Sequence, residues 1–298
     1  MVGCNCNAGL SNTGRPGCVP IQLVTSKFIM VPLRANDGTL NKIDLTTTLP
    51  TWANLVNELD ASKRWFPLPS FENVELPKAD SQFEEANSGR KAFLRQGVRS
   101  FTGELWAEDS TPTMLGKLLA GRCVEFGLYI VDINGNLVGS KVGTDLYPIQ
   151  VDEQSWDPKF MFATDSTVQK IMLGFDFDRL FDESTMYMIT PDEAGINFNS
   201  LNGLIDINVL NDAITTTTLT FDAKLDYGTA LNPILAQGLV SADFTLTNTT
   251  TSSAVTVTAV ENTPGNYTLT FTAQTTGDIG SLVIAKPGYL GTFTFTFA

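Results

Sequence analysis

The sequence predicts a mainly β protein, in which an antiparallel β-domain with one or two short helices precedes a C-terminal β-sandwich. Three observations support this fold class. Short runs of alternating apolar and polar residues dominate the chain, turn residues separate these runs, and helical periodicity is confined to two short segments. The length of 298 residues is sufficient for two domains that each bury a core.

The N-terminal segment differs from the rest of the chain. Residues 1–20 are rich in glycine, asparagine, proline and cysteine and have no hydrophobic period, so we interpret them as an extended arm. The run at 21–35 predicts one or two strands, and the turn signal at 36–39 leads into a return strand at 40–45. These strands begin a β-rich assembly domain that we place at 21–210.

Two helices are predicted inside this domain. Residues 50–64 are the better candidate, because Thr51 can serve as the N-cap and apolar residues recur on one helical face. The residues of this face are Trp52, Leu55, Val56 and Leu59. The second candidate is 111–122, where Thr111 is the expected cap and Pro112 stands in the first turn.

The rest of the β-rich domain is predicted to be extended. A proline-rich excursion at 65–80 is expected to wrap around the domain or to contact a neighbour. The run at 91–108 predicts one strand or a pair of strands. Residues 123–142 predict a hairpin whose Asn134-Gly135 pair favours positive φ and suits a tight primed turn. Further strands are predicted at 147–163 and 168–181.

The composition of the chain changes near residue 210. From residue 215 onward the sequence is rich in threonine, poor in charges and free of arginine. Strand-like runs such as TLTFDAKL, ADFTLTN and TFTFTFA recur at short intervals between turn residues. This spacing is typical of a small sandwich of immunoglobulin-like type, which we place at 211–298. The alternative is a β-extension of the first domain.

The composition argues against several classes of function. The chain contains no histidine, which removes the commonest general base and the commonest zinc ligand. A net charge of −13 disfavours binding to nucleic acid or to an anionic membrane surface. We find no apolar run long enough to span a bilayer and no secretory signal. We therefore expect a chain without catalytic residues and without a cofactor.

The cysteines are the candidate metal ligands of this sequence. The C-x-C spacing of the first pair is tighter than the usual C-x₂₋₄-C of zinc sites. A disulfide is an alternative if the protein later meets an oxidising environment. The interpretation that we favour is that the thiols are free and pack as small apolar groups. The residues concerned are Cys4, Cys6, Cys18 and Cys123.

Two acidic motifs and the tryptophans were also considered as sites. The sequence VDING at 131–135 has a partial likeness to a calcium loop, but Tyr129 stands at the leading acidic position, so a hairpin turn explains it better. Asp176 and Asp178 alternate with phenylalanines, which places both carboxylates on a solvent face with a divalent cation as the alternative. The tryptophans are expected to be core anchors, with a sugar-binding platform as the alternative: Trp52, Trp65, Trp106 and Trp156.

The order of these elements resembles that of bacteriophage virion structural proteins. The run FTGELWAEDSTPTMLGKLLAGRCVEFGLYIVDINGNLVG at 101–139 is similar to tail-tube or tail-ring (barrel) subunits of crAss-like phages of Bacteroidetes. The resemblance implies a homo-oligomeric ring of six or twelve copies in the virion, assembled in the host cytoplasm. It also implies contacts with other tail or portal proteins, no membrane, and a lumen through which DNA passes without specific binding.

The function expected from the sequence is therefore that of a non-enzymatic structural subunit of a phage tail or neck. A first alternative is a capsid-decoration or head-fibre protein that binds host-surface glycans through the immunoglobulin-like module. A second alternative is a glycan-active enzyme that uses paired carboxylates. In the ring, an extended arm such as 1–20 is expected to bind a neighbouring subunit.

Overall fold

The computed structural model describes residues 13–14, 19–46, 49–122, 124–229 and 231–298. The fold is mainly β and is built largely from antiparallel sheets, which confirms the predicted fold class. The order of elements along the chain is given below, because the position of every surface discussed later depends on it.

The first part of the chain contributes the following strands: β1 (Thr25–Pro32), β2 (Ile43–Asp44), β3 (Phe66–Pro67), β4 (Glu72–Glu75), β5 (Gln82–Glu85), β6 (Lys91–Arg95), β7 (Ser100–Trp106), β8 (Phe126–Asp132), β9 (Leu137–Val142), β10 (Asp145–Tyr147), β11 (Ile149–Gln150), β12 (Asp157–Met161), β13 (Lys170–Asp176) and β14 (Met186–Ile189). The α-helices of the described residues are α1 (Trp52–Val56), α2 (Pro112–Ala120) and α3 (Pro191–Ala194). The later strands are β15 (Ile205–Ile214), β16 (Thr218–Gly228), β17 (Pro233–Leu235), β18 (Phe244–Asn248), β19 (Ser253–Val255), β20 (Val257–Thr263), β21 (Asn266–Phe271), β22 (Ile279–Lys286) and β23 (Tyr289–Thr296).

The N-terminal β-domain is organised around a large central sheet. Its strands follow the order β2-β10-β9-β8-β1-β3, with β11 beside β8 and β14 beside β9. Every residue of β8 (FGLYIVD) is buried, because both faces of the central sheet are covered. A strand whose two faces are both covered by other elements needs apolar side chains on both faces.

A second sheet covers one face of the central sheet. Its order is β12-β13-β7-β4, and the core between the two sheets is strongly aromatic. The Phe28 ring meets those of Phe101 and Phe175 edge-on, with centroid distances of 4.7 and 5.6 Å. Phe175 and Phe177 are both buried, which confirms the predicted apolar face of this strand.

The other face of the central sheet is covered by α1 and by the segment that follows β14. Trp52 packs edge-on against Phe198 at 4.8 Å, and its Nε1 donates to the carbonyl oxygen of Ala194 at 2.9 Å. Trp65 lies beside Tyr129 at 5.0 Å. This second core explains why apolar residues of β8 point to both sides.

The helix predicted at 50–64 is wrong in length, because α1 ends at Val56. Side chains farther along the segment bind backbone groups and form a turn instead. The Asp60 carboxylate accepts from the backbone and the hydroxyl of Ser62, and Arg64 donates to the carbonyl oxygens of Glu58 and Leu59. Thr51 precedes the helix but makes no side-chain cap bond.

The helix predicted at 111–122 is confirmed as α2. The Thr111 hydroxyl accepts from the backbone N–H of Met114 at 3.1 Å, and Pro112 is the first helical residue. The predicted return at 40–45 is confirmed only at its start, where Leu40 bridges Arg34 and the Asn41 N–H donates to the Leu33 carbonyl at 3.0 Å, whereas β2 pairs with β10. The proline-rich excursion at 65–80 wraps its own domain, because β3 pairs with β1 and β4 pairs with β7.

The turn between β8 and β9 differs from the predicted primed type. Gly135 has φ of 80°, but Asn134 is not among the described non-glycine residues with positive φ. The Gly135 N–H donates to the Asp132 carbonyl at 2.9 Å, and the Asp132 N–H donates to the Asn136 carbonyl at 3.1 Å. The loop is therefore a type I turn followed by a left-handed glycine.

The C-terminal sandwich, which we define as residues 205–298, consists of two packed faces. One face has the order β15-β16-β21-β20 and the other has the order β23-β22-β18-β19. The start of β15 also runs parallel to β23, so this strand links the two faces. With β15, β16, β18, β20, β21, β22 and β23 lettered A to G, these are the ABED and GFC arrangements of an immunoglobulin-like sandwich, and β19 is an additional strand beside β18.

The sandwich begins earlier than the composition shift indicated. The predicted boundary at 210/211 falls inside β15, whose residues pair with β16 and β23 from Ile205 onward. The change in composition does not mark the start of the sandwich, because β15 still carries the charged residues Asp206 and Asp212. Its apolar residues Ile205 and Ile207 nevertheless pack against the sandwich core.

A candidate assembly surface

The most unusual feature of the described surface is a hairpin that packs against little else. Strands β5 and β6 form a two-stranded sheet of their own, and every residue in both strands is exposed. We call this element the exposed hairpin (residues 82–95). A two-stranded hairpin is marginally stable in water, so a long exposed one is a candidate for contact with another chain.

The turn and the root of the exposed hairpin are locally well defined. The Gly89 N–H donates to the Ala86 carbonyl at 2.8 Å, and Gly89 has φ of 78°. At the root, the Ala79 N–H donates to the Val98 carbonyl at 2.9 Å. Gly97 is required there, because a Cβ at this position would overlap the Ala79 carbonyl oxygen.

An ionic cluster fixes the root to the body of the domain. Glu183 binds Lys78 Nζ and Arg99 Nε, each at 2.8 Å, from the two chain segments that lead into and out of the hairpin. The hydrogen bond from Lys78, supported by that from Arg99, lowers the pKa of Glu183. The hairpin therefore has an ordered base although its strands are exposed.

Aromatic side chains lie on one face of the exposed hairpin. Phe83 and Phe93 are directly opposed across the strands, and their rings meet edge-on with centroids 5.7 Å apart. They remain 55% and 49% exposed, and the neighbouring Leu94 is also exposed. Exposed apolar groups of this kind, concentrated on one element, are typical of a protein contact.

The two strands of the exposed hairpin carry opposite charges. Strand β5 contains Glu84 and Glu85, whereas β6 contains Lys91 and Arg95. Glu85 and Lys91 approach to 3.5 Å across the pair. The outer edge of each strand has no β partner among the described residues, so an acidic edge and a basic edge are both open.

A second apolar patch lies on the outer face of the sheet formed by β12, β13 and β7. The strand register places Met161, Lys170 and Trp106 in one row across this face. We define the sheet patch by its exposed apolar residues, which are Trp106, Met161, Phe162, Val168 and Met172. The exposed hairpin and the sheet patch are different surfaces of one chain.

The sandwich is attached to the first domain by a compact ion cluster. Lys117 of α2 binds Asp206 of β15 at 2.6 Å and Asp226 of β16 at 3.0 Å. Burial lowers the pKa of Lys117, but hydrogen bonds to the two carboxylates outweigh this effect and raise it. The Gly288 N–H also donates to Asn57 Oδ1 at 3.0 Å. These bonds define how the two parts of the chain sit together.

The structure tests few of the sequence-predicted sites directly. All four cysteines, Cys4, Cys6, Cys18 and Cys123, lie outside the described residues, as does most of the arm predicted at 1–20. Within the described ranges, no group of three or more acidic or other ligating side chains could hold a metal ion. Among the described helices, none has the length and hydropathy needed to traverse a bilayer.

The acidic motif at 131–135 is a structural element. Both carboxylate oxygens of the fully buried Asp132 accept hydrogen bonds from protein N–H groups. Of the tryptophans, Trp52, Trp65 and Trp156 are buried as predicted, whereas Trp106 is 43% exposed in the sheet patch. Trp106 is exposed because β7 presents it on the outer face, opposite Lys170.

Sequence reasoning missed the exposed hairpin. Its signal was present: two short runs, each with one phenylalanine, flank the turn residues of ANSG at 86–89. The alternative of a pair of strands at 91–108 is confirmed, since Gly97 separates β6 from β7. No strand was predicted at 82–85, so the pairing of β5 with β6 became visible only in three dimensions.

Comparison with known proteins provides no relative from which a function could be transferred. No protein-family model, no curated protein and no solved structure matches the chain. The function is therefore argued from the geometry of these surfaces.

Proposed function

We propose that the chain is a non-enzymatic structural subunit of a phage virion that forms a ring or tube in the tail or neck through head-to-tail contacts. The observation that carries this proposal is the exposed hairpin, with its open edges and its Phe83–Phe93 pair. An edge that ends without a partner is a template for pairing with another chain.

The hairpin supports pairing between successive copies in one direction. In a ring, β6 of one subunit lies next to β5 of the following subunit, and the two strands run antiparallel. This arrangement sets the basic side chains Lys91 and Arg95 against the acidic side chains Glu84 and Glu85. Opposite charges across adjacent strands stabilise a pair, whereas like charges destabilise it.

Head-to-tail assembly also requires two different surfaces on each subunit. The two edges of the exposed hairpin meet this requirement, since β5 carries Glu84 and Glu85 whereas β6 carries Lys91 and Arg95. A head-to-tail contact closes into a ring when its rotation divides a full turn, and the homo-oligomer expected from the sequence is such a ring.

The virion part of the proposal rests on the resemblance of residues 101–139. In the structure this run forms β7, α2 and the hairpin of β8 and β9, in the order expected from the sequence. The C-terminal sandwich follows as an appended module. The net charge of −13 suits a channel along which DNA moves without binding, because acidic surfaces repel its phosphates.

The proposal is tested by replacing the aromatic pair of the hairpin. We expect Phe83→Ser combined with Phe93→Ser to lower the assembled fraction at least tenfold, measured by sedimentation velocity of the full chain. Both side chains are already half exposed in the single chain, so the variant should retain its far-ultraviolet circular dichroism spectrum. The matched control is Leu231→Ser, at a fully exposed position of the sandwich.

Exchanging the charges of the two hairpin strands distinguishes specific pairing of strand edges from nonspecific association. Changing Glu84 and Glu85 to lysine should weaken assembly, and adding Lys91→Glu and Arg95→Glu should restore it, because the edges are then complementary again. Unchanged assembly of the aromatic variant would contradict the proposal. So would a monomeric native chain that binds host-surface glycans only when residues 205–298 are present, which would support the decoration alternative.

A further inference from the structure

A large cavity lies where the N-terminal β-domain meets the sandwich, away from the exposed hairpin. Its volume is about 840 Å³, and it lies between β1, the segment around Leu68, α2 and the start of the sandwich at Asp206 and Tyr227. Apolar side chains such as Met30, Met114 and Phe126 form much of its wall. This size and composition are typical of sites for small organic ligands.

Lys27 is a buried cation at this cavity. It is only 3% exposed, and its Nζ donates to the carbonyl oxygens of Asn199 at 2.7 Å and Leu201 at 2.6 Å. No carboxylate of the described residues lies within ion-pair distance of it. Burial lowers the pKa of Lys27 to about 8, so the side chain is still mainly charged at neutral pH.

Arg64 is a second buried cation in the wall of the same cavity. It is 8% exposed, and its Nε and Nη2 donate to backbone carbonyl oxygens of Glu58 and Leu59. These bonds use two of the five N–H groups of a guanidinium. Like Lys27, it has no ion-pair partner among the described residues.

The carboxylates of the cavity do not neutralise these cations. Asp206 is bound by Lys117 at 2.6 Å, and Glu108 and Asp109 are exposed at the rim. The chain as a whole carries 32 acidic residues against 19 basic ones, yet among the described residues neither Lys27 nor Arg64 has a carboxylate within ion-pair distance. Asp206, Glu58 and Asp60 act on Arg64 only from farther away. A buried charge without a counter-ion is costly, and an anionic ligand would remove that cost.

Asn199, in the wall of the cavity, has a buried side-chain oxygen, Oδ1, without a hydrogen-bond partner among the described residues. Asn199 is next to Lys27, because its carbonyl oxygen accepts from Lys27 Nζ. The Asn199 Oδ1 atom is closed to solvent, so it offers no contact to a ligand in the cavity.

We propose that this cavity binds a small organic carboxylate with an apolar body, held by charge-assisted hydrogen bonds from Lys27 and Arg64. The apolar body occupies the space between Met30, Met114 and Phe126. The site is independent of the assembly contacts, because it shares no residue with the exposed hairpin or the sheet patch.

The test uses calorimetric titration of the full native chain with decanoate, 1-decanol and decyltrimethylammonium. We expect saturable binding of decanoate, at least tenfold weaker binding of the alcohol, and no binding of the cation. Equal binding of decanoate and decanol would overturn the proposal, as would the absence of saturable decanoate binding, since the buried cations would then have no role.

Two variants locate the binding to this cavity. Lys27→Met keeps the apolar stem, Arg64→Gln keeps a polar side chain, and each should weaken decanoate binding at least tenfold. The control is Lys159→Met, at an exposed lysine on β12. If Lys27→Met does not fold, Arg64→Gln and the ligand series decide the question. Folded variants that bind decanoate as the native chain does would refute the site.

Discussion

Replacing Trp156 with alanine should lower the free energy of unfolding of the N-terminal β-domain by about 4 kcal/mol. Losses of this size are usual when a large aromatic residue in a core is replaced by alanine. Trp156 is 1% exposed and stacks on Phe175 with centroids 5.3 Å apart. Its Nε1 donates to the Leu118 carbonyl at 2.8 Å, so the side chain also holds α2 against the sheets. Chemical denaturation followed by circular dichroism measures the loss.

The matched control for this variant is Trp106→Ala. Trp106 is 43% exposed in the sheet patch, where its ring lies 5.9 Å from Lys170 Nζ and its Nε1 donates to Glu104 Oε2 at 2.9 Å. Its loss should cost less than about 1 kcal/mol, as is usual for surface substitutions. Equal losses for the two variants would show that Trp156 is not the core anchor described here.

Replacing Asp132 with alanine should destabilise the same domain by about 3 kcal/mol, because several buried donors lose their acceptor. Asp132 Oδ1 accepts from the backbone N–H groups of Asn134 and Asn136, each at 2.9 Å. Oδ2 accepts from the Leu23 N–H at 3.0 Å and from Asn136 Nδ2 at 2.7 Å. The carboxylate thereby joins the β8–β9 turn to the segment before β1.

One further variant separates the charge of Asp132 from its shape, and a second is a control at an exposed position. Asp132→Asn keeps one acceptor oxygen and should cost about half as much in chemical denaturation. Asp165→Ala, at an exposed loop position, should change the stability by less than about 0.5 kcal/mol. A stable Asp132→Ala protein would mean that water satisfies these donors and that the turn does not depend on the carboxylate.

The parts of the fold that the sequence predicted are those with local causes. The cap at Thr111 and the alternation through Phe175 and Phe177 act within a few residues, and both are confirmed. The spacing of short strands in the last part of the chain predicted a sandwich of immunoglobulin-like type, but the order of the strands within it was not predicted.

The parts of the fold that the sequence did not predict are caused either by competing local hydrogen bonds or by partners far along the chain. The length of α1 is set by the bonds of Asp60 and Arg64 to backbone groups, which compete with the helix. The pairing of β2 with β10 joins segments about a hundred residues apart, and no local pattern encodes it. Likewise, β15 belongs to the sandwich through its pairing with β23 near the end of the chain.

The candidate sites illustrate the same limit. Sequence reasoning concentrated on cysteines and acidic motifs, because spacing is the signal for metal chemistry. It did not identify the exposed hairpin, since Phe83 and Phe93 are separated by the turn and only their pairing reveals one aromatic face. The two unpaired cations, Lys27 and Arg64, come from different segments that meet only at the cavity.

The central claim, assembly through the exposed hairpin, is tested most directly by electron cryo-microscopy of the purified full chain at a resolution that separates β-strands. We expect closed rings of six or twelve copies, in which β6 of each subunit pairs with β5 of the next. Particles that contain a single chain, or twofold dimers with the hairpins remaining in solvent, would contradict it.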